Sequence, residues 1–221
     1  MTLNVTHRAP QKRIDLKNDY PYLADFENLP EKTVWDHFRN GSEEAYSFIY
    51  ITFFPVLYNY GRQFTHDTAL VKDALQDLFI HLWKRKEHLS PTDSIKFYLL
   101  AATRRRIIKL TGKLNVLSGN TDPEVFGIVM PIEAQIIADQ NAKEQVLRVR
   151  EAVNRLTPKQ REVIFLMFYE NLSHEQIAKI LSLETKTIYN LLYKAIKGLK
   201  EIMGSLLLLA AVVLSWVYSS F

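Results

Sequence analysis

Two helix-start signals of the same kind lie close together in the second half of the chain. Thr157 is followed three residues later by Gln160, and Ser173 is followed in the same way by Gln176. In each pair the hydroxyl can accept a hydrogen bond from an otherwise unpaired N–H, and the glutamine can reach back to the cap N–H. The spacing leaves room for one helix, a tight turn and a second helix of about two turns. This pattern predicts a helix-turn-helix.

A third amphipathic run begins at Thr185, after a short break at residues 182–184, and its apolar residues recur at three- and four-residue steps. Its polar side offers donors, acceptors and flat rings to a DNA groove. The spacing alone is also compatible with a plain three-helix core that has no role in DNA binding. The candidate DNA-binding residues of this run are Lys186, Thr187, Tyr189, Asn190, Tyr193 and Lys194.

Composition excludes several classes of protein. The 221 residues include no cysteine, which excludes a disulfide framework and a thiolate metal site. Glycine and proline are sparse and no strand-like alternation occurs, so we predict an all-α fold. The six histidines are scattered without metal-ligand spacing, and the chain has no glycine-rich phosphate loop or nucleophile elbow. We therefore expect no enzyme activity, no metal and no cofactor.

Charge is distributed unevenly along the chain. Residues 1–83 carry eight Lys and Arg against eleven Asp and Glu, whereas residues 84–113 carry nine against two. A basic block of this kind is the electrostatic footprint of a nucleic-acid contact. Residues 1–29 are polar and lack the apolar core of a signal peptide, so a cytoplasmic location is expected.

Breaks in helical periodicity divide the chain into five segments. We predict a loosely ordered extension over residues 1–32, a helical domain over 33–113, a linker over 114–142, a helix-turn-helix domain over 143–202 and an apolar helix over 203–221. The fold class is therefore two helical domains joined by a linker, with an apolar C-terminal helix.

The first domain has a dense aromatic pattern over residues 35–58, typical of a core. Pro55 is expected to kink the chain or to separate two helices there. Asp67 is a candidate N-cap for a helix through Leu89, and another long helix is predicted over residues 94–113.

Two sets of residues in this domain are candidates for binding. On a helix, residues at three- and four-residue steps share one face, which suits either a solvated acidic surface or a docking surface. The members of the first set are Asp73, Gln76, Asp77 and Ile80, with Phe79 beside them. Cations and an aromatic ring on one helix could contact single-stranded DNA, or could simply be solvated. The members of this second set are Lys96, Tyr98, Arg104, Arg105 and Lys109.

Three stretches, in this order, resemble the extracytoplasmic-function (ECF) sigma factors of the sigma-70 family, of the type common in Bacteroidetes. Asp73–Trp83, DALQDLFIHLW, is similar to the stretch that docks on the clamp helices of RNA polymerase. Phe97–Arg106, FYLLAATRRR, resembles the helix that melts and reads the promoter −10 element. Residues 156–199 resemble the domain that reads the −35 element.

The resemblance implies a subunit that directs promoter recognition and transcription initiation, with core RNA polymerase and promoter DNA as partners and an anti-sigma factor as a candidate partner. Some positions depart from the family pattern. Arg105 stands where the family usually has Asn, Tyr189 where it has Lys, and Leu191 where it has Arg, while Glu184 takes the cap position of the last helix. The alternatives are a helix-turn-helix regulator whose first domain senses a ligand or dimerises, and a membrane-tethered helical adaptor.

The last segment has no counterpart in the ordinary family pattern. Residues 203–221 are apolar, no charge follows Glu201, and the run approaches the roughly 20 residues that span a bilayer. The segment could contact a membrane, which would make the protein membrane-associated, or pack on the protein's own domains or a partner. We favour packing, because the run is short and serines interrupt its ends.

Overall fold

The computed structural model describes residues 20, 23–117, 126–127 and 151–203. These residues are helical or lie in turns and loops, and none of them forms a strand, which confirms the prediction of an all-α fold. The helices are α1 Ala24–Glu27, α2 Glu31–Arg39, α3 Glu43–Gly61, α4 Thr68–Arg85, α5 Ile95–Leu117, α6 Pro158–Ile164, α7 His174–Leu181 and α8 Thr185–Met203, with a 3-10 turn Lys86–His88 after α4 and a π-helical turn Phe165–Tyr169 after α6.

In the first domain, α3, α4 and α5 pack against one another in pairs, and α2 packs on α3. The aromatic residues predicted from the sequence form the core, since Trp35, Phe38 and Tyr60 are fully buried. Gly61 allows the close approach of the three helices. A Cβ atom at this position would lie 2.7 Å from the Ile107 side chain and 2.8 Å from that of Val71, closer than packed carbon atoms normally approach.

Two features of this domain differ from the sequence-based predictions. Pro55 does not separate two helices, because α3 runs without a break across it. Proline cannot donate the backbone hydrogen bond of a helix interior, yet the helix continues on both sides of it, with Phe53 and Leu57 buried. The expectation of a loosely ordered extension is wrong for residues 23–32, since Leu23 is fully buried and the Phe26 ring packs 5.8 Å from that of Phe48.

The second domain has the predicted helix-turn-helix. Both capping boxes form: the Thr157 hydroxyl accepts from the Gln160 N–H and the Ser173 hydroxyl from the Gln176 N–H, while each glutamine side chain accepts from the cap N–H. Asn171 lies in the turn between α6 and α7, with a φ of 53°, in the left-handed region that asparagine tolerates. Helix α8 then packs on both α6 and α7.

The two domains touch each other. Helix α5 of the first domain packs against α7 of the second, and buried residues of both domains form one continuous apolar cluster. Phe126, within the predicted linker, is buried in that cluster, with its ring 5.8 Å from that of Phe165. Beside it the Gly127 N–H donates to the Gln63 carbonyl at 2.7 Å.

No helix in the described part of the chain combines the length and hydropathy needed to cross a membrane. The apolar helix predicted over residues 203–221 lies, apart from Met203, outside the described residues.

Candidate functional site

The predicted docking residues lie on α4. Asp67 fixes the start of this helix, because its carboxylate accepts from the N–H groups of Ala69 and Leu70 at 3.0 Å. We name the exposed side of α4 formed by Asp73, Gln76, Asp77 and Ile80 the docking face.

Two predicted docking residues have roles within the domain. The Phe79 side chain is only 1% exposed and packs in the core, so it can support the docking face but cannot touch a partner. The Asp77 carboxylate accepts from Nη2 of Arg106 at 2.7 Å, which ties α4 to α5. Asp73, Gln76 and Ile80 are therefore the members of the docking face best placed to meet a partner.

A shallow cleft of about 340 Å³ continues the docking face toward α3. It is lined in part by Ile80, Tyr46 and Trp83, and the Lys86 ammonium lies 4.2 Å from the centre of a Trp83 ring. Tyr46 was absent from the predicted site. It comes from a helix distant in sequence, so only the packing of α3 on α4 brings it to this surface.

A second cleft, of about 360 Å³, lies where α4 crosses α5 and is rich in cations. The predicted residues Tyr98, Arg105 and Lys109 line it together. We name it the basic cleft; its other lining residues are Leu78, His81, Leu82, Arg85, Leu89, Ala102 and Arg106. His81, Arg85 and Arg106 were not predicted as site residues, although the clustering of cations in residues 84–113 pointed to this region.

The Tyr98 ring is held at the wall of the basic cleft. Its centroid lies 5.0 Å from that of Trp35, and the Trp35 indole N–H in turn donates to the Ser90 carbonyl at 3.0 Å. Burial raises the pKa of Tyr98 above its ordinary value, while Arg105 and Arg85 oppose that rise. The ring is therefore a neutral stacking surface beside positive charge.

Lys96 and Arg104 lie away from the basic cleft, on the side of α5 that faces the second domain. They lie about 80° apart around α5, whereas Arg105 lies about 180° from Lys96. The Arg104 guanidinium donates to both carboxylate oxygens of Glu162, at 2.8 and 3.3 Å. The Lys96 ammonium lies 3.0 Å from the Glu170 carboxylate.

Both of these carboxylates are buried, each only 3% exposed. Glu162 also accepts a hydrogen bond from the Tyr60 hydroxyl at 2.6 Å, and burial together with the nearby carboxylate raises the pKa of Tyr60 well above its ordinary value. Burial also raises the pKa of Glu170, and the Lys96 charge opposes this. We name Lys96, Arg104, Glu162, Glu170 and Tyr60 the interdomain contact. Its carboxylates were not predicted as functional residues, since glutamate in an amphipathic helix ordinarily faces solvent.

The polar side of α8 carries the remaining predicted residues. Lys186, Tyr189, Asn190, Tyr193 and Lys194 are exposed on it, and Thr187 is half-buried. The Tyr189 ring stacks on His174, the first residue of α7, with centroids 4.0 Å apart and planes 19° from parallel. His174 had no predicted role. The stack fixes one aromatic ring among cations, which suits contact with a nucleic acid.

Comparison with protein families identifies two matching regions. Residues 49–114 match the profile of sigma-70 region 2, and residues 147–199 match that of sigma-70 region 4. The chain is 24% identical over 170 residues to the ECF RNA polymerase sigma factor SigK of Mycobacterium sp. (strain JLS). This alignment covers 73% of this chain and 84% of the relative. It is 25% identical over 148 residues to the ECF RNA polymerase sigma factor SigL of Mycobacterium tuberculosis, covering 66% and 81%.

Solved structures share the fold. CnrH, in complex with the cytosolic domain of CnrY, superposes with a TM-score of 0.53 at 16% identity, covering 79% of this chain and 97% of that one. The sigma factor RpoE from Bartonella quintana, in complex with the anti-sigma factor NepR, gives a TM-score of 0.53 at 20% identity, covering 70% and 93%.

Proposed function

Because the chain belongs to the ECF sigma factors of the sigma-70 family, we propose that three separate surfaces divide its work in promoter recognition. As an RNA polymerase sigma factor it directs promoter recognition and transcription initiation, with core polymerase and promoter DNA as its partners. The polymerase makes the bonds of the transcript, and this chain supplies recognition.

The docking face is proposed to bind core polymerase. Its exposed carboxylates, Asp73 and Asp77, share a side of α4 with the apolar side chain of Ile80. Such a surface suits a basic coiled coil, because opposite charge steers the encounter and apolar area gives affinity. The adjoining cleft with Tyr46 and Trp83 extends the apolar part of this surface, since aromatic residues are enriched where interfaces are fully buried.

The basic cleft is proposed to bind the melted −10 element. The observation that carries this proposal is that one aromatic ring and several cations line the same cleft. Tyr98 lies there beside Arg85, Arg105 and Lys109, so a base could stack on the ring while the cations hold the backbone phosphates. Arg105 in place of the family's usual Asn adds a phosphate contact at this position. Lys96 and Arg104 are proposed as a second DNA contact on the other side of α5, available once the second domain has moved away.

The exposed side of α8 is proposed to enter the major groove of the −35 element. Lys186 and Lys194 can neutralise phosphates, while Asn190 offers both a donor and an acceptor to base edges. Glu184, at the front of the helix, is exposed and repels phosphate. We therefore expect this chain to bind the −35 element with modest affinity.

We also propose an anti-sigma protein as a regulatory partner, because the sigma factor RpoE, which shares this fold, was solved in complex with the anti-sigma factor NepR. The Bacteroidetes type is part of the proposal as well, and it is supported by the three sequence motifs alone.

Two substitutions test the division between the DNA surfaces. Arg105→Ala should reduce open-complex formation, measured by permanganate footprinting with core polymerase, and leave duplex affinity unchanged. Lys186→Ala should weaken duplex binding and reduce the salt slope by roughly one unit. Arg155 is an exposed cation on the turn before α6. The variant Arg155→Ala removes the same charge there and serves as the control. Unchanged closed- and open-complex levels in both test variants would contradict the assignment.

A further inference from the structure

The interdomain contact uses two cations that the proposed function assigns to DNA. Arg104 is only 12% exposed and is held by both oxygens of Glu162, and Lys96 is paired with Glu170. A carboxylate on a guanidinium or ammonium group makes the same charge-assisted hydrogen bonds as a phosphate oxygen. While these pairs persist, a phosphate cannot occupy the same donors.

Promoter geometry requires the two domains to separate. The −10 and −35 elements lie roughly 25 base pairs apart, a distance of about 85 Å along B-DNA, whereas the domains here are joined by contacts such as the 2.8 Å pair of Arg104 and Glu162. The 33 residues between Leu117 and Glu151 could span about 110 Å if fully extended. One chain can therefore reach both elements, but only after the interdomain contact has opened.

The chemistry of the interdomain contact suits a surface that must open. A buried ion pair contributes little more than an apolar pair of similar volume, because removing the charges from water offsets most of their attraction. After separation, however, Lys96, Arg104, Glu162 and Glu170 can all be hydrated, whereas an apolar surface of the same size would be left against water. Apolar contact across the same interface includes the ring of Tyr60, which stacks 5.8 Å from that of Phe165, and the ring of Phe126, which packs on both.

We propose that the interdomain contact is an autoinhibitory clamp in which Glu162 and Glu170 act as internal competitors of promoter phosphates for Arg104 and Lys96. The inference rests on the proposed function of the first domain in −10 binding. In the closed protein, single-stranded DNA meets only the basic cleft. Opening exposes two further cations on α5, so domain separation and DNA binding stabilise each other.

Neutralising the two carboxylates tests the competition directly. The variant Glu162→Gln/Glu170→Gln keeps side-chain size and removes both internal anions. In the full chain it should bind a fluorescein-labelled twenty-nucleotide oligo-dT at least tenfold more tightly than wild type, measured by anisotropy. Two newly available cations should also steepen the dependence of log K on log salt by about 1.4, at roughly 0.7 per phosphate for a single strand.

The control variant Glu87→Gln/Glu151→Gln removes the same charge from two exposed positions, so its affinity for oligo-dT should stay within twofold of wild type. A second test variant changes no charge: Phe126→Ala loosens the apolar part of the contact and should also raise affinity for oligo-dT. Circular dichroism reports whether each variant is folded.

Opening can also be measured without changing the contact. The chain has no cysteine, so His88→Cys/Lys197→Cys, at exposed positions of the two domains, accepts a donor and an acceptor dye. Energy transfer should be high in the free protein and fall as oligo-dT is added.

Equal affinity and salt slope for wild type and the folded Glu162→Gln/Glu170→Gln variant would overturn the clamp, and so would energy transfer that saturating oligo-dT leaves unchanged. Either result can occur while wild type still supports promoter-dependent transcription, in which case the proposed function stands. Wild type that gives no promoter-dependent transcript with core polymerase would instead contradict the proposed function itself.

Discussion

Truncating Ile80 to alanine should weaken binding to core polymerase while the protein stays folded, at a cost of only about 1 kcal/mol in stability. The Ile80 side chain is 43% exposed at the C-terminal end of the docking face, where the cleft toward α3 begins. Complete burial of an isoleucine side chain contributes about 1.5–3 kcal/mol, so the part still exposed can contribute about 1 kcal/mol when a partner covers it. Its loss corresponds to a roughly fivefold higher Kd.

The assay is an anisotropy titration of the dye-labelled full chain with core polymerase, accompanied by urea unfolding. Leu29→Ala is the matched control, since Leu29 is 37% exposed and lies outside the docking face; this variant should bind core as wild type does. Phe79→Ala shows the contrasting behaviour of a core residue, because truncating a buried phenylalanine costs about 3–5 kcal/mol of stability. A folded Ile80→Ala variant with wild-type affinity for core polymerase would refute the docking role.

Three further predictions concern packing, pH and the C-terminal segment. Gly61→Ala should lower the free energy of unfolding by about 1–3 kcal/mol, because its Cβ would lie 2.7 and 2.8 Å from side chains of α5 and α4. Gly112→Ala is the control: its Cβ would have no neighbour within 4 Å, so it should raise the free energy of unfolding by about 0.5–1 kcal/mol. Urea unfolding measures both changes. Burial raises the pKa of Glu170 above its usual 4.5 despite Lys96, so the native protein binds this proton more tightly than the unfolded chain. Relative to the Glu170→Gln variant, the wild-type protein should therefore lose stability as pH rises from about 4.5. A difference of the opposite sign in thermal melts at several pH values would contradict the assignment. Truncation after Met203 should lower Tm or loosen a partner complex if residues 204–221 pack on protein, whereas carbonate-resistant membrane sedimentation that the truncation abolishes would show an anchor instead.

The helix-turn-helix could be predicted from sequence because its determinants are local. Each capping box involves residues only three apart, and the structure has both, at Thr157 and Ser173. The left-handed Ser182, with a φ of 55°, ends α7 within the break that the sequence indicated. In the same way Asp67 is the cap of α4 because a carboxylate can accept from the N–H groups two and three residues later.

The interdomain contact could not be predicted, because it joins residues far apart in the chain. Glu162 meets Arg104 across 58 positions and Tyr60 across 102, and neither spacing leaves a periodic signal in the sequence. Phe126, in a stretch read as linker, is buried for the same reason. Sequence periodicity separates the faces of α5 but does not tell which face a distant domain will cover.

The most direct test of the central claim is run-off transcription with reconstituted core RNA polymerase on genomic fragments, with and without this chain. We predict discrete transcripts, starting at defined sites on a subset of fragments, only when the chain is present. Sequence-specific duplex binding by the chain that leaves the transcripts of core polymerase unchanged would contradict the account and favour a helix-turn-helix regulator.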